Sequence, residues 1–369
     1  MAVFRSYLEA DLSAVRHNIK TVMSALPSRR LLAVVKANAY GVGAKEISAV
    51  AGECGCRCFG VATCEEALQL RSFGIKDDIC LLSGVLEEEI PDAIRNGVIL
   101  PFTSVEIARK ISCEALRQSR KARGNFIVDT GMGRVGMILS AAQQGISEIS
   151  SLPGVETVGI YSHFSSAGVC EDEYTLTQLA GFKNFLKSAE LPGSCRNIHF
   201  AAFDGINNYP ESLREPFNMA RCGIGIYGMA DADTLKLPLK PALKFAAKVI
   251  DVRELPEGSC IGYMHTARLK KKSRIAVVAA GYADGLPLDA SNRARFLING
   301  SSVPVIGRVS MDYTTCDLGD VPCVPGDDAV IFGSSGKEYI SVSEVAALRR
   351  SHDYDVLCSV GPRSERRYI

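Results

Sequence analysis

In LLAVVKANAYGVG, Lys36 follows an uninterrupted aliphatic run from Leu31 to Val35. An amine at the end of an apolar strand is partly desolvated, which lowers its pKa and leaves neutral nitrogen able to form an imine with an aldehyde and to move protons. Other segments gather groups of complementary chemistry. DTGMGRVG holds Arg134, YSHF holds His163, NIHFAA holds His199 and NMARCGIGIYG holds Arg221 followed by Gly223 and Ile224. IGYMHT holds Tyr263, GYADG holds Tyr282, GRVSMDYT holds Met311 and Asp312, and DYDVLC holds Tyr354. For each histidine the plainer reading is a satisfied core residue, His199 more so than His163. Position alone would make Lys36 a snorkelling strand-end lysine.

The elements that must position these residues follow from periodicity. Eight short apolar runs, at 31–36, 58–63, 78–83, 98–103, 125–130, 157–162, 197–202 and 220–228, alternate with helical patterns such as 65–73, 104–119 and 173–190. Strands separated by helices must pair in parallel, and eight βα units predict a (β/α)8 barrel with its chemistry at the strands' C-terminal ends. After a connector at 230–241 the texture becomes β-rich, with candidate strands at 243–255, 274–282, 294–308 and 327–333 and an Asn299-Gly300 hairpin turn. The expected division is a barrel over 1–237 and an all-β domain over 238–369, with the first strand, 6–12, joining the sheet of the second.

Composition narrows the function. Lys and Arg number 42 against 41 Asp and Glu, a net charge of +1, so no global field favours nucleic acid or anionic lipid. Arg5, Glu9 and Asp11 interrupt what would have to be a signal core, and no stretch is long and apolar enough to span a bilayer. The 13 cysteines have no disulfide-framework spacing and read as reduced thiols of a cytoplasmic protein. The cluster Cys54, Cys56, Cys58, Cys64 lacks paired zinc spacing and a nearby histidine, so it reads as buried thiols rather than a metal site.

Taken in order, these motifs resemble those of the alanine racemases along nearly the whole chain. The resemblance implies a pyridoxal phosphate (PLP) enzyme acting on an amino acid, with two active sites formed across a homodimer. Inverting Cα requires proton removal on one face and return on the other, so two bases must stand opposite each other. The resemblance makes them Lys36, for the D-isomer, and Tyr263 from the partner subunit, for the L-isomer, with His163 and Arg221 as hydrogen-bonded support. It places Arg221 at the cofactor's pyridine nitrogen, which an arginine would keep unprotonated. Phosphate falls to Tyr40, Tyr354 and the amides of Gly223 and Ile224, and the substrate carboxylate to Arg134 and the Met311 amide, with Tyr282 and Asp312 close by.

Three departures from the family pattern stand out. Ile127 replaces a modified lysine that steadies the substrate arginine, so something else must orient Arg134. Phe203 replaces a serine that holds phosphate, with Asp204 beside it. Either a hydrogen bond is missing and PLP is held more loosely, or HFAAFDG is displaced with Phe203 in the barrel core. Met264 and His265 stand where glycine and arginine are common, and Val42 where histidine is usual; these bear on substrate range. The alternative racemase acts on serine or a wider set of amino acids. A PLP-dependent decarboxylase would want a triple glycine, which the chain lacks, and a noncatalytic PLP carrier would end after the eighth strand.

Overall fold

The computed structural model describes residues 4–28, 30–230 and 235–369. Part of the expected connector, 231–234, lies outside the described residues. The chain forms two compact units. One comprises 1–14, 40–42 and 241–369, the other 15–39 and 43–240.

The larger unit carries eight parallel strands: β2 (Leu31–Val34), β3 (Cys58–Val61), β4 (Asp78–Leu81), β5 (Leu100–Phe102), β6 (Ala122–Asp129), β8 (Val155–Tyr161), β9 (Asn197–His199) and β10 (Ala220–Cys222). Two-residue β7 (Met137–Ile138) pairs beside β6, and β1 (Ser6–Ala10) belongs to the other unit. Ladders run β10-β2-β3-β4 and β5-β6-β8-β9, and parallel bridges Cys80–Ile99 and His199–Met219 join the two arcs into a closed barrel. Every residue of β2 and β3 is buried, as expected for parallel strands covered on both faces. Three of the helices between them carry side-chain N-caps, at Thr63, Ser104 and Asp172. Val105–Arg117 buries Ala108, Ile111, Ser112 and Ala115, an i, i+3, i+4, i+7 stripe, and the Ser104 hydroxyl accepts the Ile107 N–H at 3.2 Å. Burying a side chain such as Ile111 stabilises the unit by about 1.5–3 kcal/mol.

The smaller unit continues with β11 (Leu243–Leu255), β12 (Cys260–Ile261), β13 (Ala267–Arg268), β14 (Ser273–Val278), β15 (Arg295–Ile298), β16 (Ser301–Ile306), β17 (Thr314–Asp317), β18 (Asp328–Ser335), β19 (Glu338–Ile340) and β20 (Glu365–Tyr368). The order β18-β15-β16-β17-β14-β11 closes on itself through a β11–β18 pairing. The β15–β16 hairpin turns through Asn299 and Gly300, both at positive φ, as a two-residue turn between twisted strands requires. Strand β1 pairs antiparallel with β11 and parallel with β20.

Two local expectations are corrected. The run 220–228 is not one strand: β10 stops at Cys222 and a 3-10 turn, Ile224–Tyr227, follows. Tyr354, in the part of the chain expected to be all-β, lies on a short helix, Asp353–Ser359.

Candidate active site

Lys36 stands two residues beyond β2, at the start of a backbone turn that runs left-handed. Ala37, Asn38, Ala39 and Tyr40 all have φ between 52° and 59°, although none is glycine. Each such residue costs about 1–2 kcal/mol, so the surroundings must over-determine the turn. They do. The Glu66 carboxylate accepts the Ala37 N–H at 2.6 Å and the Ala62 N–H at 2.7 Å, the Tyr227 hydroxyl donates to the Ala39 carbonyl at 2.7 Å, and the Asn38 side chain accepts the Ala44 N–H at 2.8 Å. The backbone carrying Lys36 is thereby fixed before any ligand arrives.

Arg221, on β10, is 3 % exposed, and among the described residues none of its hydrogen-bond partners is a carboxylate. Its guanidinium donates to the Ser162 and Phe200 carbonyls at 2.9 and 2.7 Å, to His163 Nδ1 at 2.9 Å and to His199 Nδ1 at 2.6 Å. A guanidinium only donates, so both Nδ1 atoms must accept and both rings are neutral with the proton on Nε2. Burial and the Arg221 charge together push both imidazoles well below the usual histidine range, with the charges of Arg134 and Lys36 adding to the effect on His163. Burial pushes the guanidinium itself down to about 10. His199 stacks on Tyr161, ring centroids 4.7 Å apart, and Arg221 lies over the same phenol. The arginine's Nε–H takes part in none of these bonds and remains to meet an acceptor.

Arg134 is exposed and, among the described residues, takes part in no hydrogen bond or ion pair. Its loop, rather than its side chain, is held. Asp129 accepts the Gly131 and Gly133 N–H groups at 2.8 and 3.1 Å, and the Tyr174 hydroxyl donates to the Gly131 carbonyl at 2.8 Å. Ile127 is buried in β6 and offers no polar group.

Gly223 and Ile224 open the 3-10 turn after β10, where the first amides of a turn have no carbonyl within it to bond. Phe203 does not stand open to this nest. It is fully buried at the start of the helix Phe203–Asn208, and a Cβ on Gly225 would collide with its ring. Of the two arrangements expected for HFAAFDG, the ring in the core is the one observed. Asp204 follows in the first turn of that helix.

In the smaller unit, Tyr40 and Tyr354 face each other with ring centroids 5.6 Å apart. Arg366 fastens the segment bearing Tyr40: its Nε donates to the Gly41 carbonyl at 2.9 Å while its other nitrogens bond the Val360, Gly361 and Ser364 carbonyls. Tyr263 begins a short turn and is 70 % exposed. Met264 and His265 next to it both have positive φ. Gly262, where a Cβ would crowd the Arg308 N–H, sets this turn against the strand end leading to Met311. Tyr282, Met311 and Asp312 come together: the Tyr282 N–H donates to the Ser310 carbonyl at 3.0 Å and the Ala283 N–H to the Met311 carbonyl at 3.1 Å.

Sequence reasoning missed Glu66, Asp129, Tyr174 and Arg366 as supports. Thr63 and Glu66 have capping-box spacing, and the Thr63 hydroxyl does accept the Glu66 N–H. The glutamate's own carboxylate goes instead to the turn after Lys36. Of the Cys54–Cys64 cluster, Cys56, Cys58 and Cys64 are buried, and burial pushes the Cys56 thiol up to about 12.

The donors of the larger unit suit PLP: an amine for the aldehyde, the Nε–H of a buried cation for the pyridine nitrogen, and turn amides for the phosphate. Comparison with known proteins agrees. The alanine racemase N-terminal domain model matches residues 10–231 and the C-terminal domain model residues 242–368. An alanine racemase from Syntrophobacter fumaroxidans is 34 % identical over 360 residues, covering 96 % of this chain and 95 % of its own. The crystal structure of alanine racemase from E. faecalis superposes with a TM-score of 0.92 at 30 % identity over 100 % of both chains. That from Bartonella henselae, with covalently bound pyridoxal phosphate, gives 0.89 at 29 % identity, again over 100 % of both. The chain belongs to the alanine racemases, a family of PLP-dependent isomerases.

Proposed function

We propose that this protein interconverts L-alanine and D-alanine with Lys36 and Tyr263 of the partner subunit as bases on opposite faces of Cα. The observation that carries the reading is Arg221, a buried cation held by two carbonyls and two neutral imidazoles. PLP, when bound, withdraws the electron pair left at Cα by proton removal. A donor that does not give up its proton leaves the pyridine nitrogen unprotonated, which weakens that withdrawal and favours prompt reprotonation at Cα over transamination.

Lys36 takes or returns the proton on one face through Nζ, and Tyr263 of the partner subunit does so on the other through its hydroxyl. His163, kept neutral by burial and by the Arg221 charge, presents its Nε2–H as a donor, and a hydrogen bond given to the phenol oxygen favours the phenolate that must act as a base. Arg134 and the Met311 amide bind the substrate carboxylate, with Asp312 and Tyr282 beside it. Tyr40, Tyr354 and the amides of Gly223 and Ile224 hold the phosphate. The exposure of Tyr263 in its own chain supports a homodimer in which it completes the partner's site. The free thiols support a cytoplasmic setting, where the product would feed peptidoglycan synthesis. No helix among the described residues is long and apolar enough to cross a membrane.

Mixing tests the assignment. Lys36→Ala and Tyr263→Phe proteins, each inactive in racemisation, are combined under conditions of subunit exchange. A two-fold dimer then regains about a quarter of wild-type activity, because half the dimers are mixed and each mixed dimer has one intact site. No recovery despite proven exchange overturns the shared site. Borohydride trapping of a lysine other than Lys36 overturns the whole assignment.

A further inference from the structure

The two turns that carry Tyr282 and Met311–Asp312, already joined by two backbone hydrogen bonds, are also bridged by a side chain from the C-terminal segment. Arg363 donates through one terminal nitrogen to Asp284 Oδ2 and through the other to Asp312 Oδ1, both at 2.8 Å. The two carboxylates differ in kind. Asp284 is 5 % exposed and, among the described residues, its side chain accepts, besides Arg363, only the Gly281 N–H at 3.0 Å. Asp312 is about half exposed.

The surroundings leave little slack on the Asp284 side. The Gly361 N–H donates to the Asp284 carbonyl at 3.1 Å, and a Cβ on Gly361 would sit 2.6 Å from the Ala283 carbonyl oxygen. Gly281 packs so closely on the Ser310 and Met311 carbonyls that a Cβ would collide with both. On the far side, the 310–313 turn closes on itself: the Ser310 hydroxyl donates to the Tyr313 carbonyl at 2.9 Å and accepts the Tyr313 N–H at 3.0 Å. Among these bonds, the guanidinium fork alone ties the Asp312 side chain to the fixed frame. Arginine suits the task because its planar donors reach two carboxylates at once, and a point charge would choose between them.

We propose that Arg363 is a positioning residue for substrate binding, holding Asp312 and the adjoining Met311 amide in register with Tyr282 by bridging Asp284 and Asp312. This rests on the assignment of the substrate carboxylate to the Met311 amide. Arg363 acts through the turn and touches no reacting atom, so its loss weakens the grip on alanine while the proton-transfer groups stay in place.

The test compares Arg363→Ala, Arg363→Lys, Asp312→Asn and the Arg363→Ala/Asp312→Asn double variant as holoenzymes. It reads KM and kcat for both isomers and hydrogen exchange of the 309–313 amides. Arg363→Ala is expected to raise KM on the order of tenfold, equivalent to about 1.4 kcal/mol, with kcat within about threefold and faster exchange at Met311. Arg363→Lys recovers part of the KM. The double variant is no worse in KM than Arg363→Ala, because both remove the same arm. Unchanged KM and exchange, with only a lower melting temperature, overturn the proposal in favour of a structural staple. If Arg363→Ala does not fold, Asp312→Asn keeps a partner for Asp284, and normal exchange there is equally fatal. A wild type inactive on alanine refutes the assigned function, while the exchange comparison still decides whether Arg363 holds the turn.

Discussion

Replacing Phe203 with serine would restore the residue usual in the family, and the structure says that it will harm this protein. The ring is fully buried at the head of a helix and lies against the backbone of Gly225, in the same turn that begins with Gly223 and Ile224. Phe203→Ser removes the ring from a site that cannot collapse, because Gly225 has no side chain to fill the space. A large-to-small change of this size costs about 3–5 kcal/mol, and the new hydroxyl adds the penalty of a buried polar group unless it finds a partner. Against this stands one charge-assisted hydrogen bond to phosphate, worth about 1.5–3 kcal/mol if geometry allowed it. It should not, since the side chain at this position points toward Gly225. At roughly 2–4 °C per kcal/mol for a unit of this size, the apo protein's melting temperature should fall by roughly 6–20 °C, and PLP should bind no more tightly. Thermal unfolding of the apo proteins, with PLP titration followed by absorbance, measures both. An unchanged melting temperature together with tenfold tighter PLP would refute the packing argument.

Arg221→Glu should slow racemisation and raise transamination, measured as pyruvate formed per alanine inverted, because a carboxylate favours the protonated pyridine ring; a variant that loses PLP without gaining transamination leaves the arginine's electronic role without support. The apo protein should lose stability as pH falls below about 6.5: His163 and His199 are neutral when folded and protonate once unfolded, so the unfolded state binds more protons, with a slope of up to about 1.4 kcal/mol per pH unit for each ring. His199→Gln, which retains an acceptor for Arg221, should flatten that slope between pH 6.5 and 5 by about half, and melting curves with identical pH dependence in both proteins would contradict the neutral assignment.

Much of the architecture was legible in local pattern. Alternating apolar runs and amphipathic stretches marked the eight barrel strands to within a few residues, since burial on both faces demands continuous hydrophobicity whatever the neighbours are. The Asn299-Gly300 pair marked its hairpin because few other residues adopt positive φ twice in succession. Lys36, Arg221 and Tyr263 could be singled out as candidates because their types and motifs suit the chemistry. What escaped was whatever depends on partners distant along the chain. KANAY has ordinary helix formers, and nothing local asks four of them to turn left-handed; Glu66 and Tyr227, 29 and 188 residues from their partners in that turn, impose it. His199 looked like a core histidine and is one, but Arg221, 22 residues on, also makes it an acceptor for the buried cation. The ring of Phe203 could have faced phosphate or core, and only the close approach of Gly225 decided between them. Nothing local marks Arg363 or Arg366, and only folding brings Asp284, 79 residues away, and Gly41, 325 residues away, within their reach. Backbone propensity and hydrophobic period act over a few residues, whereas a charged side chain's role is set by which carboxylates and carbonyls the closed fold brings within about 3 Å.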